Sequence, residues 1–305
     1  MPRVLEGVIP IVATPFDDRG GVDLHGLRRV VDFLIGAGVH GIAALGVAGE
    51  IYALTDNERR AVAGTVVAQA AGRVPVVVGA SHNSGEAAAA LAAEAAAAGA
   101  DVLMVMPPSF IKPAPDAIEA YYAMIAGAAK IPIMIQDNPG WTGVTLSVDL
   151  MVRLAEIPEV RYAKVETPAP PAKISALGRA AGDRLVLLGG LGGNWLVEEL
   201  ARGARGTMPG AIMPQVYVAV WDLWQAGRLA EARAMFHRYH GLIRLTNQPG
   251  VGLAMAKHVL WQAGIIATSR ARNPLPRLDA QDVEDLERVV ADLDAIAVMQ
   301  GRRVP

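Results

Sequence analysis

Short apolar runs alternate along this chain with longer stretches in which apolar residues return every three or four positions. The runs predict strands at 8–13, 41–45, 74–79, 101–106, 131–136, 160–165, 185–188 and 206–208. The longer periodic stretches between them, for example 24–36, 56–71, 84–98 and 115–129, predict helices. A recurring unit joins them, in which a glycine precedes a buried strand: Gly38-Val39-His40-Gly41-Ile42, Gly99-Ala100-Asp101-Val102-Leu103 and Gly203-Ala204-Arg205-Gly206-Thr207. Each reads as a helix C-terminus feeding the next strand. Thr55, with Glu58 three residues on, reads as a helix N-cap. Strands apolar throughout, between helices, are those of a parallel sheet covered on both faces. Eight such units predict an α/β fold of the TIM (β/α)8 barrel type. The alternative, an open doubly wound sheet, lacks a Gly-rich fingerprint after its first strand.

Helical periodicity continues past the eighth unit, at 229–245, 252–263 and 280–298, with two prolines in 269–276 before the last. The expected organisation is a barrel over 1–226 and a C-terminal helical subdomain over 227–305.

Composition narrows the class. Of 305 residues, 52% are hydrophobic, which supports a large core and argues against disorder. A net charge of −2, with basic residues dispersed, predicts no nucleic-acid partner. The absence of cysteine excludes disulfides, a thiol nucleophile and thiolate metal sites. The Ala-rich stretch 87–100 is interrupted by Glu94 and is too short to span a bilayer, so no membrane segment is expected. With no signal-peptide pattern at the N-terminus, the expected location is cytoplasmic. The six histidines are scattered, so no metal site is expected.

Within this apolar framework Lys164 stands out, in the run Val160-Arg161-Tyr162-Ala163-Lys164-Val165-Glu166-Thr167-Pro168. Burial disfavours the charged form of a lysine, and a neutral amine can attack a carbonyl to form a Schiff base. Alternation along a strand places Tyr162, Lys164 and Glu166 on one face, where Glu166 could move a proton. A plain structural Lys–Glu pair is the competing reading. In a barrel of this type the chemistry sits at the C-terminal strand ends. Gly46-Val47-Ala48-Gly49-Glu50, after strand two, offers backbone N–H groups to a carboxylate, or is an ordinary tight turn. His82 after strand three is a candidate substrate contact, or a solvated loop residue. Gln136-Asp137-Asn138-Pro139 after strand five supplies polar groups for sugar-acid hydroxyls. Gly190, Thr207 and Met208 are candidate contacts by strand-end position alone.

Four segments, in order and with matching spacing, resemble the dihydrodipicolinate synthase/N-acetylneuraminate lyase family. They are Ile11-Val12-Ala13-Thr14-Pro15-Phe16, Gly46-Val47-Ala48-Gly49-Glu50, Gln136-Asp137-Asn138-Pro139 and Ala163-Lys164-Val165-Glu166. The resemblance covers nearly the whole chain. It implies a barrel, a Schiff-base lysine at Lys164, a carboxylate-holding loop at Gly46, Val47 and Ala48, and a homotetramer. The departures are informative. Val47 and Ala48 replace the two threonines of the family's Gly-Thr-Thr-Gly-Glu loop, and Gln136 replaces its proton-carrying tyrosine. Met106-Pro107-Pro108-Ser109-Phe110 lacks the tyrosine that usually follows the fourth strand's proline. Pro132-Ile133-Met134-Ile135-Gln136-Asp137 and Lys164-Val165-Glu166-Thr167-Pro168 are similar to the 2-keto-3-deoxyarabonate dehydratase branch, as is the tail around Gln248-Pro249-Gly250 and Ala256-Lys257.

The expected function is therefore a Schiff-base lyase acting on a small 2-oxo acid, dehydrating a 2-keto-3-deoxy sugar acid. Its expected catalytic residues are Lys164, Glu166 and Gln136, with no cofactor beyond the covalent imine. The alternatives are an aldolase of the same class, the synthase reaction, which the lost threonine and tyrosine relay disfavours, and a non-catalytic 2-oxo-acid-binding barrel.

Overall fold

The computed structural model describes residues 4–304, so the outermost limits of the two expected units, at 1–3 and 305, lie outside the described residues. Eight parallel strands form one sheet: β1 (Gly7–Val8), β2 (Ile42–Ala44), β3 (Val76–Gly79), β4 (Val102–Val105), β5 (Ile133–Asp137), β6 (Val160–Val165), β7 (Val186–Gly189) and β8 (Gly206–Thr207). From β2 onward each pairs with the next, and β8 pairs with β1. A bridge between Ile11 and Ala43, with Val12 N–H donating to Ala43 O at 2.8 Å, joins the β1 segment to β2 and closes the ring. β1 is shorter than the apolar run predicts. Pro10 has no N–H to donate toward β2, but its carbonyl accepts from Ala43 N–H at 2.9 Å, and on the other side Ile9 and Ile11 N–H donate to Thr207 O and Pro209 O at 2.9 and 2.8 Å.

Two apolar layers explain why the strands read as unbroken hydrophobic runs. Val77, Met104, Met134, Tyr162, Leu188 and Met208 fill the barrel interior. Their neighbours Val76, Val78, Leu103, Val105, Ile133 and Ile135 pack outward against the helices. Residues alternate between the layers, so both faces of every strand are dry.

The helix ends follow local chemistry. Thr55 and Glu58 form a reciprocal capping box on the helix Asp56–Ala70. Gly38, Gly99 and Gly203 have φ of +84°, +98° and +94°, the left-handed geometry that ends a helix before the next strand. After the eighth barrel helix, Pro214–Gln225, come Leu229–Leu245, Gly252–Gln262, Ala280–Asp292 and Ala295–Met299. The last two occupy the span predicted as one helix. Asp294 takes a left-handed φ of 53° between them, and its carboxylate meets the Arg302 guanidinium at 2.5 Å. Among the described residues no helix is long and apolar enough to cross a membrane.

One buried contact fastens this tail to the barrel mouth. Lys257 and Glu50 are both fully buried and form an ion pair. Lys257 also donates to Arg270 O at 2.9 Å and stands 4.0 Å from the centre of the Phe16 ring. Burial pushes the Lys257 ammonium down to about 8, against the pull of the Glu50 charge, so the ammonium stays mostly protonated at neutral pH. Arg272 N–H donates to Glu50 Oε2 at 2.8 Å, and its guanidinium grips both oxygens of Glu58. Removing one partner of a fully buried pair strands the other charge. Lys257→Met is therefore expected to lower the unfolding free energy by about 3–5 kcal/mol. Chemical denaturation measures this, and Glu50→Gln combined with Lys257→Met is expected to cost less than the single change.

Candidate active site

β6 carries Lys164 and, just past its end, Glu166 on the same side of the strand. The Lys164 Nζ stands 3.0 Å from Glu166 Oε1, and the two side chains are only 4% and 6% exposed. Parallel register sets Gln136 of β5 level with Lys164. Its Nε2 donates to Glu166 Oε2 at 2.7 Å. Asn138 Nδ2 donates to the same oxygen at 3.2 Å, while its Oδ1 accepts from Trp141 N–H of the short helix Pro139–Thr142. The Leu191 N–H, beyond β7, donates to Glu166 Oε1 at 3.0 Å. Burial by itself raises a carboxyl pKa. Here the Lys164 charge, the Gln136 amide and the Leu191 N–H outweigh it, and Glu166 is held below the usual carboxylate value. Lys164 and Glu166 thus stand in direct contact in a buried site. Gly190 makes room for this arrangement, since a side-chain carbon there would overlap Glu166 Cγ.

The Gly46–Glu50 loop turns through a short 3₁₀ helix, Val47–Gly49. A Cβ on Gly46 would lie 2.9 Å from Ile11 Cγ2, and one on Gly49 would lie 2.9 Å from Val12 O, so the loop sits tightly on the β1 segment. The Thr14 hydroxyl donates to Gly49 O at 2.7 Å and fixes it. The N–H groups of Val47 and Ala48 open the 3₁₀ turn and have no backbone acceptor among the described residues. Free N–H groups at the start of such a turn suit a carboxylate.

Other residues singled out from sequence lie elsewhere. Asp137 follows Gln136 and therefore faces outward, where its carboxylate meets Lys173 Nζ at 2.5 Å. Burial raises the Asp137 carboxyl, against the neighbouring Lys173 charge. It is fully buried in the helix layer, which corrects its expected role as a substrate contact. Thr207 is level with Val8, an outer-layer residue, and with Gly189, so it too faces the helices rather than Lys164. Met208 is packed inside the barrel, 1% exposed. His82 Nδ1 accepts from Ser84 N–H at 3.0 Å and its backbone bonds the Tyr121 hydroxyl, a role in the turn that precedes the helix Gly85–Ala97. Tyr162 shares the face of Lys164 as alternation requires, but its hydroxyl accepts from Leu5 N–H at 3.3 Å, toward the N-terminal ends of the strands.

The Leu191 N–H was not among the expected site groups, and Asn138 was expected only within the polar run after strand five, not as a partner of Glu166. Asn138 had a signal, its place in the polar run after strand five. Leu191 had none, because an amide N–H carries no residue identity. Among the described residues no group of three or more His, Cys, Asp and Glu side chains converges on a metal position.

The model of the dihydrodipicolinate synthetase family matches residues 4–293. An L-2-keto-3-deoxyarabonate dehydratase from Azospirillum brasilense is 35% identical over 96% of this chain and 96% of that protein. A 4-hydroxy-tetrahydrodipicolinate synthase from Xanthomonas campestris is 30% identical over 98% of each. The crystal structure of a dihydrodipicolinate synthase from Rhodopseudomonas palustris superposes with a TM-score of 0.87 at 30% identity, covering 94% of this chain and 97% of the other.

A methyl group at position 190 would drive Glu166 out of reach of Lys164. Displacements of about 1 Å in a reacting group can cost about a hundredfold. Gly190→Ala is accordingly expected to lower turnover by about that factor, measured as kcat alongside a thermal melt that shows the barrel still folded.

Proposed function

Because the chain belongs to the dihydrodipicolinate synthetase family, we propose that it dehydrates a 2-keto-3-deoxy sugar acid through an imine on Lys164. The family is one of Schiff-base lyases acting on small 2-oxo acids, without metal or added cofactor, and this chain is an enzyme of that class. The observation that carries the finer reading is the carboxylate 3.0 Å from the lysine nitrogen. Among the described residues Glu166 is the one acidic side chain within ion-pair distance of Lys164.

In this reading the Val47 and Ala48 N–H groups hold the substrate carboxylate and Glu166 takes a proton from Lys164. The amine then attacks the C2 ketone, Glu166 returns its proton to the carbinolamine hydroxyl, and loss of water leaves an iminium and a free Glu166 carboxylate. The iminium draws electron density from C3, whose proton passes to the Glu166 carboxylate. The resulting enamine expels the C4 hydroxyl, which leaves as water with the proton Glu166 has just received. Gln136 and Asn138 keep the carboxylate turned toward this edge. The relative from Azospirillum brasilense, named for a dehydration, supports the same reading. Aldol cleavage would need a base at the C4 hydroxyl, and the Gln136 amide cannot serve. Asp137, the neighbouring carboxyl, faces away and is engaged by Lys173. A homotetramer is part of the proposal. Phe110 and Ile111, 87% and 77% exposed on the loop after β4, are apolar surface for a partner subunit, and light scattering is expected to give a tetramer mass.

Borohydride trapping with pyruvate, and separately with 2-keto-3-deoxyarabonate, tests the assignment. The expected result is a reduced adduct on Lys164 by peptide mass spectrometry, with the second adduct lighter by one water where elimination precedes trapping. Glu166→Gln is expected to form the pyruvate adduct yet lose about 10²- to 10⁴-fold in dehydration rate, the usual contribution of a general base. Absence of adduct with either ligand in folded protein, or near-wild-type dehydration by Glu166→Gln, would refute the mechanism.

A further inference from the structure

Behind β7 stands a second buried carboxyl group that this reaction scheme does not use. Glu199 lies on the short helix Leu196–Leu200 and is fully buried. No side chain among the described residues donates a hydrogen bond to either of its carboxyl oxygens. Its placement depends on an absent side chain, because a Cβ on Gly189 would overlap Glu199 Oε2. The next residue, Gly190, stands in the same relation to Glu166. Successive strand residues face opposite sides. Two carboxyl groups therefore flank one side-chain-free stretch of backbone, Glu166 from the barrel mouth and Glu199 from the helix layer.

Burial pushes the Glu199 carboxyl up to about 8, repulsion from Glu166 and Glu198 adds to this, and the Lys164 charge and Gly190 backbone oppose it. Gly189 of β7 and the hydroxyl of Thr207 on β8 face this side, and neither is ionisable. The helices Pro170–Ala181 and Leu229–Leu245 also pack against Leu196–Leu200, and Lys173 of the first is engaged by Asp137.

We propose that Glu199 is a positioning residue, a neutral acid behind β7 that leaves Glu166 as the single negative charge beside Lys164. The inference rests on the imine chemistry set out above. Ionised, Glu199 would place a second negative charge through the bare backbone. That charge would stabilise the Lys164 ammonium against the free amine, and the iminium against the neutral enamine. Both effects slow the reaction, one at imine formation and the other at removal of the C3 proton.

The test is the pH profile of kcat/KM with 2-keto-3-deoxyarabonate, paired with borohydride trapping of pyruvate at neutral pH, for wild type, Glu199→Gln and Glu199→Met. The two variants replace the acid by uncharged groups of similar length, one polar and one apolar, so a folding defect in either leaves the other informative. Wild type is expected to lose activity through an inflection near pH 8, and both variants to lose that inflection and stay active to higher pH. A wild-type profile without this inflection, or its persistence in the variants, overturns the role of Glu199. Failure of wild type to trap pyruvate on Lys164 instead overturns the imine reading itself, so the two failures are distinguishable.

Discussion

A carboxylate in a dry barrel mouth must be met by donors on nearly every lone pair, and Glu166 is met from three strand ends. Lys164 comes from its own strand, Gln136 and Asn138 from the end of β5, and the Leu191 N–H from beyond β7. Loss of any one donor would leave part of a buried charge unsatisfied. This requirement couples the register of β5 and β6 to the chemistry. A slip of one residue would bring Asp137 beside Lys164 and turn Gln136 into the helix layer.

The same alternation that assembles the site also sorts polar residues by purpose. Gln136 and Asp137 are adjacent in sequence and both buried, yet one orients Glu166 and the other pairs with Lys173 in the helix layer. The glycines of β7 extend the pattern. Gly190 lets Glu166 lie flat over the end of the strand, and Gly189 lets Glu199 approach from behind. Polar atoms on opposite sides of a strand are thus within electrostatic reach of one another where no side chain intervenes.

The helical tail is part of this construction. Glu50 ends the Gly46–Glu50 loop, and Lys257 and Arg272 hold Glu50 from the tail. Phe16, from the β1 segment, lies under both cations. The loop is thus held from outside, by Thr14 on Gly49 and by the tail on Glu50.

Much of this could be read in the residues alone. The eight apolar runs, the helix-ending glycines, the Thr55 cap and the lysine in an apolar strand are local signals, fixed by periodicity, backbone sterics and desolvation. The side of the strand shared by Lys164 and Glu166 follows from their spacing of two. Facing across the barrel does not follow from spacing, because it depends on how strands from distant parts of the chain come into register. Only the tertiary structure could turn Asp137 and Thr207 outward, bring Asn138 and the Leu191 N–H to Glu166, join Lys257 to Glu50, and set Glu199 behind Gly189. Local order is written in neighbouring residues, whereas the satisfaction of a buried charge depends on groups that only the closed barrel brings together.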